Sequence, residues 1–525
     1  METAGHSRIR LAELVASLSL GVDLGFGQPM EHVLRQCLIA LRLAERRALS
    51  EQDRAAVYYT ALLVNVGCHS DAHEQAKWFG DDIALKSGKY EHEMRSLRGT
   101  LAMLRLIGAG NPPLHRFRVG LEFALSGHRE VDGMIAQHAR LARTLAEQLG
   151  LPPPVRAAIG AAYEQWDGHG WPGELRAEAV PIAARIAQLA EFMEVAHRVR
   201  GVAGARALAC ARLGRQFDPD LVALVCAAPD EIFAGLDTVP TWQAVIAAEP
   251  ALAVELSPDE LDNALTAIAN FVDLKSPFML GHSVAVAELA EDAGSRLGLP
   301  AEKTDLLRRA GLVHGYGRLG VSNSIWDRPG PLSAGEWERV RMSPYLTERM
   351  LRQSAALAPL GEIAVQVRER LDGSGYPRGL SGGAISRLAR VLGAAEAYQS
   401  MREPRPYRPA RLAPDAAAQL EAEVRAGRLD AAAVGAVLEA VGHRVARRRA
   451  AVAGLTAREI EVLILVARGA SNKQIAASLV ITPKTAGNHV EHIYAKIGAS
   501  NRAAAAMFAV QHGLLPGDET AVPVR

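Results

Sequence analysis

The sequence predicts an all-α protein, built from two copies of one helical unit and a smaller four-helix module after them. Three observations carry this. The chain is 49% hydrophobic but only 5% aromatic, and its richness in alanine and leucine favours helix over strand. Short motifs recur at fixed spacings over the first 450 residues, and the last 75 residues hold a dense series of helix start and stop signals. A length of 525 residues accommodates three or four domains of ~150 residues each. With 59 Lys and Arg against 58 Asp and Glu, the formal charge is +1. The chain as a whole is therefore no polycation, and any basic surface must be local.

The N-terminal sequence METAGHSRIRLAELVASLSL has no basic segment followed by a continuous apolar stretch. No apolar run elsewhere reaches the ~18 residues of a membrane span. No membrane partner is expected, and a cytoplasmic location is. The four cysteines, Cys37, Cys68, Cys210 and Cys226, form no CxxC pair, so neither a disulfide framework nor a cysteine zinc site is indicated.

Two offsets organise the repeated region. WDGHGWPGEL at 166–175 and LDGSGYPRGL at 371–380 lie 205 residues apart. The same register pairs Glu164 with Glu369, Asp167 with Asp372, Gly170 with Gly375, Pro172 with Pro377, Arg185 with Arg390 and Glu191 with Glu396. At an offset of 250, ALLVNVG (61–67) pairs with GLVHGYG (311–317) and His32 with His282. Residues 236–250 carry Pro240 and Pro250 with little helical periodicity, and 402–414 read as an Arg/Pro-rich loop closing the second copy. These breaks, and the basic stretch HRVARRRAAVAG at 443–454, place domains at 1–245, 246–450 and 451–525.

In the last domain Thr456-x-x-Glu459 and Ser471-x-x-Gln474 are capping boxes. Thr482-Pro483 supplies an N-cap with proline at the first helical position. Gly469 and Gly498 fall where helices stop, and Ser500 is placed to cap the fourth helix. The second and third helices start about a dozen residues apart around a tight turn at Val480 and Ile481, a helix-turn-helix layout. Ala486, Val490, Ile493 and Ile497 form the inner face of the third helix. Gly487, Asn488 and Glu491 then point outward with Lys484, toward base edges. Asn pairs with adenine and Glu accepts from cytosine, whereas Lys473, Lys484, Thr485 and Lys496 suit phosphates. Residues 440–515 hold ten Lys or Arg against three Glu, a local +7 that leaves −6 for the rest.

The segments LTxREIEVL, GxSNKQIAxxLxI, TPKTxxNHVEHIYxKIG and SNRAAA resemble the DNA-binding domain of LuxR/FixJ-type regulators over 455–515. That resemblance implies major-groove binding as a homodimer paired along the fourth helix, at 501–512. Over about 280–410, GHSVAVAELAEDAGSRLGL, AGLVHGYGRLGV, ERLDGSGYP and REPRPYR resemble the HD-GYP domain, an all-helical fold that cleaves cyclic di-GMP with two or three iron or manganese ions. The implied fold is two HD-GYP-like helical domains followed by a LuxR-type helix-turn-helix domain.

Carried over residue by residue, the implied metal ligands are largely missing. The second unit keeps His282, His314 and Glu396 but has Gly315 at the Asp of the HD pair, Arg318 at the lysine, Ser343 before Pro344, and Val367-Arg368 at a His-His pair. The first unit has His32, Val64, Asn65, His138, Ala162, Tyr163 and Glu191. Both units read as catalytically degenerate, with a vestigial site of His32, His138, Glu191, His282, His314 and Glu396. The DGxG[WY]P segments remain as tight turns, and the surviving histidines read as ordinary helix residues. No catalytic residue, metal or cofactor is expected. Cys68, His69, Asp71, His73, Asp81 and Asp82 form one further cluster that could bind a metal, although dense Asp/His loops are more often solvated surface.

The expected function is a transcription regulator binding double-stranded promoter DNA, with a non-catalytic sensory and dimerising body. A pocket that once held a phosphodiester can still accept a nucleotide or other small-molecule effector. The alternatives are a metal-dependent cyclic di-GMP or nucleotide phosphohydrolase fused to a DNA-binding domain, and a protein-binding scaffold.

Overall fold

The computed structural model describes residues 9–90, 105–108, 112–123, 128–250, 253–442, 454–512 and 514–515. The basic stretch at 443–453 lies outside them. The all-α expectation holds. The only sheet among the described residues is a pair of two-residue strands, Ile9–Arg10 and Glu255–Leu256, in antiparallel register.

The chain divides into two compact units, 1–69 with 74–264 and 70–73 with 265–525. The boundary expected near 245 falls inside the first unit. Residues 241–247 form the helix Thr241–Ala247 despite the flanking prolines, since Pro240 occupies its N-cap position, where a missing N–H costs nothing. Arg10 donates to the Ile246 carbonyl at 3.1 Å and pairs with Glu249, to which the Tyr59 hydroxyl donates at 2.6 Å. The strand pair closes the unit beyond these contacts.

Each unit repeats one local design. His32 opens the helix His32–Arg46 and His282 opens His282–Arg296. The residue before each, Glu31 (φ 79°) or Gly281 (φ 72°), turns in the left-handed region. A buried aspartate, Asp23 or Asp273, accepts the backbone N–H of the residue after each histidine, at 3.0 Å from Val33 and 2.8 Å from Ser283. Both donors lie in a helix's first turn, which has no intrahelical acceptor.

The two DGxG[WY]P segments are tight turns containing the cis peptides Trp171–Pro172 and Tyr376–Pro377. A buried glutamate anchors each turn. Glu164 accepts the N–H groups of Gly173, Glu174 and Leu175 at 2.9–3.3 Å, and Glu369 those of Arg378 and Leu380 at 2.7 and 2.8 Å. Arg185 pairs with Asp218, and Arg390 with Asp430. Around these the second unit packs Val286, Leu289, Leu307, Leu392, Leu420 and Val437 into one apolar core.

The C-terminal helices are Ala457–Ala467, Asn472–Leu479, Pro483–Ile497 and Arg502–Gln511. Thr456, Ser471 and Thr482 cap the first three as expected. The fourth cap is Asn501, whose Oδ1 accepts from Ala504 at 2.8 Å, one residue beyond the expected Ser500.

Candidate functional site

The first unit gathers its retained groups around the segment Ile182–Ala211, two helices joined at a break at Gly201 (φ 65°), the first of which carries Glu191 and Glu194 one turn apart. Glu194 pairs with His32 Nδ1 and with Arg35 at 2.8 Å. Burial alone would raise its carboxyl, but His32 and Arg35 hold it at about 2. Glu191 accepts from Asn65 at 2.6 Å and from the Tyr90 hydroxyl at 2.8 Å, and the Lys89 ammonium lies 2.5 Å away. Burial of Glu191 is outweighed by Lys89, so its carboxyl also lies below the ordinary range. His138 lies beside Cys68 and Tyr163, whose hydroxyl is 2.8 Å from Cys68 Sγ. Burial would raise the Cys68 thiol, yet His138 and Lys89 draw it down.

In the second unit His282 Nδ1 lies 2.7 Å from Glu403, to which Arg405 and Gln399 also donate at 2.9 and 2.8 Å. Burial would raise Glu403, but His282 and Arg405 keep it at about 2. His314 Nδ1 faces the Gly311 carbonyl at 2.6 Å and so carries the ring proton, which leaves Nε2 to accept from Arg318 at 3.3 Å. Burial, with Arg318 and His282 nearby, keeps His314 neutral by holding its pKa well below the usual value. Arg318 also reaches Asp273 at 3.5 Å, and burial lowers its guanidinium to about 10. Glu396, with no exposed surface, pairs with Arg368 and accepts the Ser400 hydroxyl at 2.6 Å. Burial raises and Arg368 lowers its carboxyl, leaving it at about 2.

The two units place equivalent backbone in equivalent seats. A Cβ on Gly67 would lie 2.1 Å from the His138 carbonyl, and one on Gly317 would lie 1.9 Å from the Ser343 carbonyl. Ser343 therefore occupies the seat of His138, and its hydroxyl turns back to the Val340 carbonyl at 2.8 Å.

These contacts test the metal centre implied by the resemblance. His282 and His314 are brought together with ring centroids 5.4 Å apart, and His282 Nε2 is 3.9 Å from Glu396 Oε1. His282 Nε2 and Glu396 Oε2 have no hydrogen-bond partner. Fixed cations, however, stand against the remaining donors, with Arg318 on His314 and Arg368 on Glu396. A Cβ on Gly315, the seat of the absent aspartate, would come within 3.0 Å of Arg318 Nη1. Among the described residues no group of three or more His, Cys, Asp or Glu is arranged to hold a metal ion. The donor set does not fit a two-metal centre, because Gly315, Ser343, Val367 and Arg368 supply no ligand where the resemblance calls for one, and side-chain cations face His314 and Glu396.

The surviving histidines are thus buried polar partners rather than ordinary helix residues. Sequence reasoning missed Lys89, Asp273, Glu403 and Arg405. Asp273 was within reach, since Asp23 precedes it by the same 250 residues. The cluster at 68–82 brings no three His, Cys, Asp or Glu donors together to hold a metal, and it is largely buried rather than a solvated loop. Asp81 caps the helix Asp82–Ser87, buried Asp82 pairs with Lys86 at 3.0 Å, and His73 lies 2.8 Å from Asp327.

In the C-terminal module Ala486, Val490 and Ile493 are buried, while Lys484, Thr485, Asn488 and Glu491 are exposed on the other face of the same helix and Gly487 is partly exposed. Lys473 is exposed on the preceding helix. Lys496, expected to contact phosphate, has an intramolecular partner. Its ammonium pairs with Glu459 at 2.7 Å and donates to the Gly454 carbonyl at 3.3 Å, which ties the third helix to the first.

The family model for the HD domain matches residues 266–433, and that for bacterial regulatory proteins of the luxR family matches 453–509. The latter match gives the chain a DNA-binding regulatory domain. The 3'3'-cGAMP-specific phosphodiesterase 3 of Vibrio cholerae is 31% identical over 404 residues, covering 76% of this chain and 88% of that protein. The 3'3'-cGAMP-specific phosphodiesterase 1 of the same organism is 35% identical over 176 residues, covering 34% of this chain and 41% of that protein. A crystal structure of a cyclic GMP-AMP specific phosphodiesterase of V. cholerae (V-cGAP3) superposes with a TM-score of 0.59 at 26% identity, covering 84% of this chain and 99% of that one. No helix among the described residues is long and apolar enough to cross a membrane.

Proposed function

For a chain that belongs to the HD-GYP family and ends in a luxR-family regulatory domain, we propose the role of a DNA-binding transcriptional regulator whose helical body is a non-catalytic sensory and dimerising module. The observation that carries this reading is Arg368 on Glu396, with glycine at position 315. Where a phosphodiesterase needs a metal to ligate the attacking water and lower its pKa, this site holds guanidinium groups, which can pair with a phosphate but cannot activate a water in that way. In this reading the first domain runs past the expected 245 to about 264, the second extends to 450 and the third is 451–525, and the chain acts as a homodimer in the cytoplasm. Lys473, Lys484 and Thr485 contact phosphates, while Gly487, Asn488 and Glu491 face base edges.

The relatives' names point to a cyclic dinucleotide as the class of effector. Binding without cleavage would shift the dimer between states of different DNA affinity. The test is turnover of 3'3'-cGAMP and cyclic di-GMP by the full-length protein with Mn²⁺ or Fe²⁺ supplied. No product and no bound metal are expected; two equivalents of metal with hydrolysis would overturn the reading.

One observation favours the enzyme alternative. His282 Nε2 and Glu396 Oε2 are buried without partners, as ligands awaiting an ion would be. The same metal analysis decides between the two.

A further inference from the structure

Cys210 lies in the last turn of the helix Ile182–Ala211, and Cys226 lies in the last turn of Pro219–Ala227. Their sulfurs are 3.4 Å apart. Cys210 is exposed and Cys226 partly so, whereas the other two cysteines, Cys37 and Cys68, are buried. The segment 195–217 contains Arg198, Arg200, Arg206, Arg212 and Arg215 and no Asp or Glu. Burial and the neighbouring Cys210 push the Cys226 thiol up, with Arg206 opposing them. Two thiols in van der Waals contact, open to solvent on one side and with Arg206 beside Cys226, have the geometry of a dithiol that an anionic disulfide can reach.

We propose that Cys210 and Cys226 form a redox modification site that closes to an internal disulfide by exchange with a low-molecular-weight anionic disulfide of the glutathione type. The exposed Cys210 thiolate attacks one sulfur of the incoming disulfide. A Cys210–S–S–R bond forms, the original S–S bond breaks, and the first RS⁻ leaves and takes up the proton Cys210 lost. Cys226 then loses its proton and attacks Cys210 Sγ, releasing the second RS⁻, which is protonated in turn. Two protein thiols are oxidised by two electrons, and one disulfide is reduced to two thiols. The sulfurs have about 1.4 Å to close to reach a bond length of ~2.05 Å. The product fastens the helical turns that follow the break at Gly201 to the neighbouring helix Pro219–Ala227. In a reducing compartment the pair is open at rest.

The test treats the reduced full-length protein with oxidised glutathione, quenches with acid, and counts thiols after unfolding. The expected result is a fall from four free thiols to two, a mass lower by two hydrogens, a peptide map joining Cys210 to Cys226, and recovery with dithiothreitol. Cys226→Ser should trap a single glutathione adduct at Cys210, which shows the order of attack without depending on stability. Glutathione adducts on both cysteines of the wild type with no internal bond, cross-links between chains through Cys210, or four thiols remaining after treatment would each overturn the proposal.

Discussion

Replacing Arg368 with alanine tests whether a side-chain cation has taken over the neutralising role in the second unit. Glu396 has no exposed surface, and its carboxyl is held at about 2 against an ordinary value of 4.5. At ~1.4 kcal/mol per pH unit, that shift corresponds to about 3 kcal/mol of stability near neutrality. Burial opposes ionisation and Arg368 is the largest group favouring it, with His282, Ser400 and His314 behind. Without the guanidinium, desolvation is less opposed and the carboxyl rises toward its unfolded value, with His282, Ser400 and His314 still holding it down. The expected loss is ~2–3 kcal/mol at pH 7, just below the ~3–5 kcal/mol of a broken fully buried pair because the Arg368 side chain is 31% exposed.

The sign follows from the direction of the shift. A depressed carboxyl contributes fully above pH 4.5 and loses its contribution as the pH falls toward 2. Urea denaturation of wild type and Arg368→Ala, followed by circular dichroism from pH 7 to pH 3, should therefore show a gap that narrows on acidification. A gap below ~0.5 kcal/mol at pH 7, within what an ordinary surface substitution costs, would refute the argument. So would one that widens toward pH 3.

Asn488→Ala should cost ~1–3 kcal/mol of discrimination between operator and random DNA. Lys484→Ala should weaken binding to both alike and reduce the slope of log K against log salt by ~0.9; equal effects of the two variants in fluorescence anisotropy would contradict the division between them. Lys496→Ala, by contrast, should leave that salt slope unchanged while lowering the stability of the C-terminal module by ~0.5 kcal/mol, since its partner is Glu459. Glu369→Gln keeps the shape of the turn anchor but removes its charge. It should cost ~2 kcal/mol in denaturant titration, as charge-assisted bonds to Arg378 and Leu380 weaken and an amide N–H₂ is turned toward backbone donors.

Local chemistry made the C-terminal module legible. Thr456, Ser471 and Thr482 each bond a backbone N–H three residues on, a contact that sequence spacing alone encodes. The fourth cap moved by one residue because Ser500 and Asn501 are both good caps, and the choice between them depends on how the chain enters the helix. The fixed offsets likewise exposed Glu164 and Glu369, and could have exposed Asp23 and Asp273. What stayed hidden is long-range. Lys89 reaches Glu191 across 102 positions, and His282 finds Glu403 rather than Gln399, the counterpart of Glu194. The helix Thr241–Ala247 was masked by its prolines, which read as breaks yet serve as a start. Lys496 looked like a free basic group because nothing nearby in sequence shows that Glu459 folds back to meet it.

The ammonium of Lys89 and the guanidinium of Arg368 are covalent parts of the chain, and this changes what the fold can respond to. A bound ion can be scavenged, exchanged or titrated by supply, so a body built around one reports on metal availability. In the proposed reading, a body built around tethered cations does not depend on it. The tether also couples charge to folding: a neutral side chain at position 368 leaves Glu396 buried without its nearest cation, so the site cannot be emptied of positive charge without weakening the fold around it.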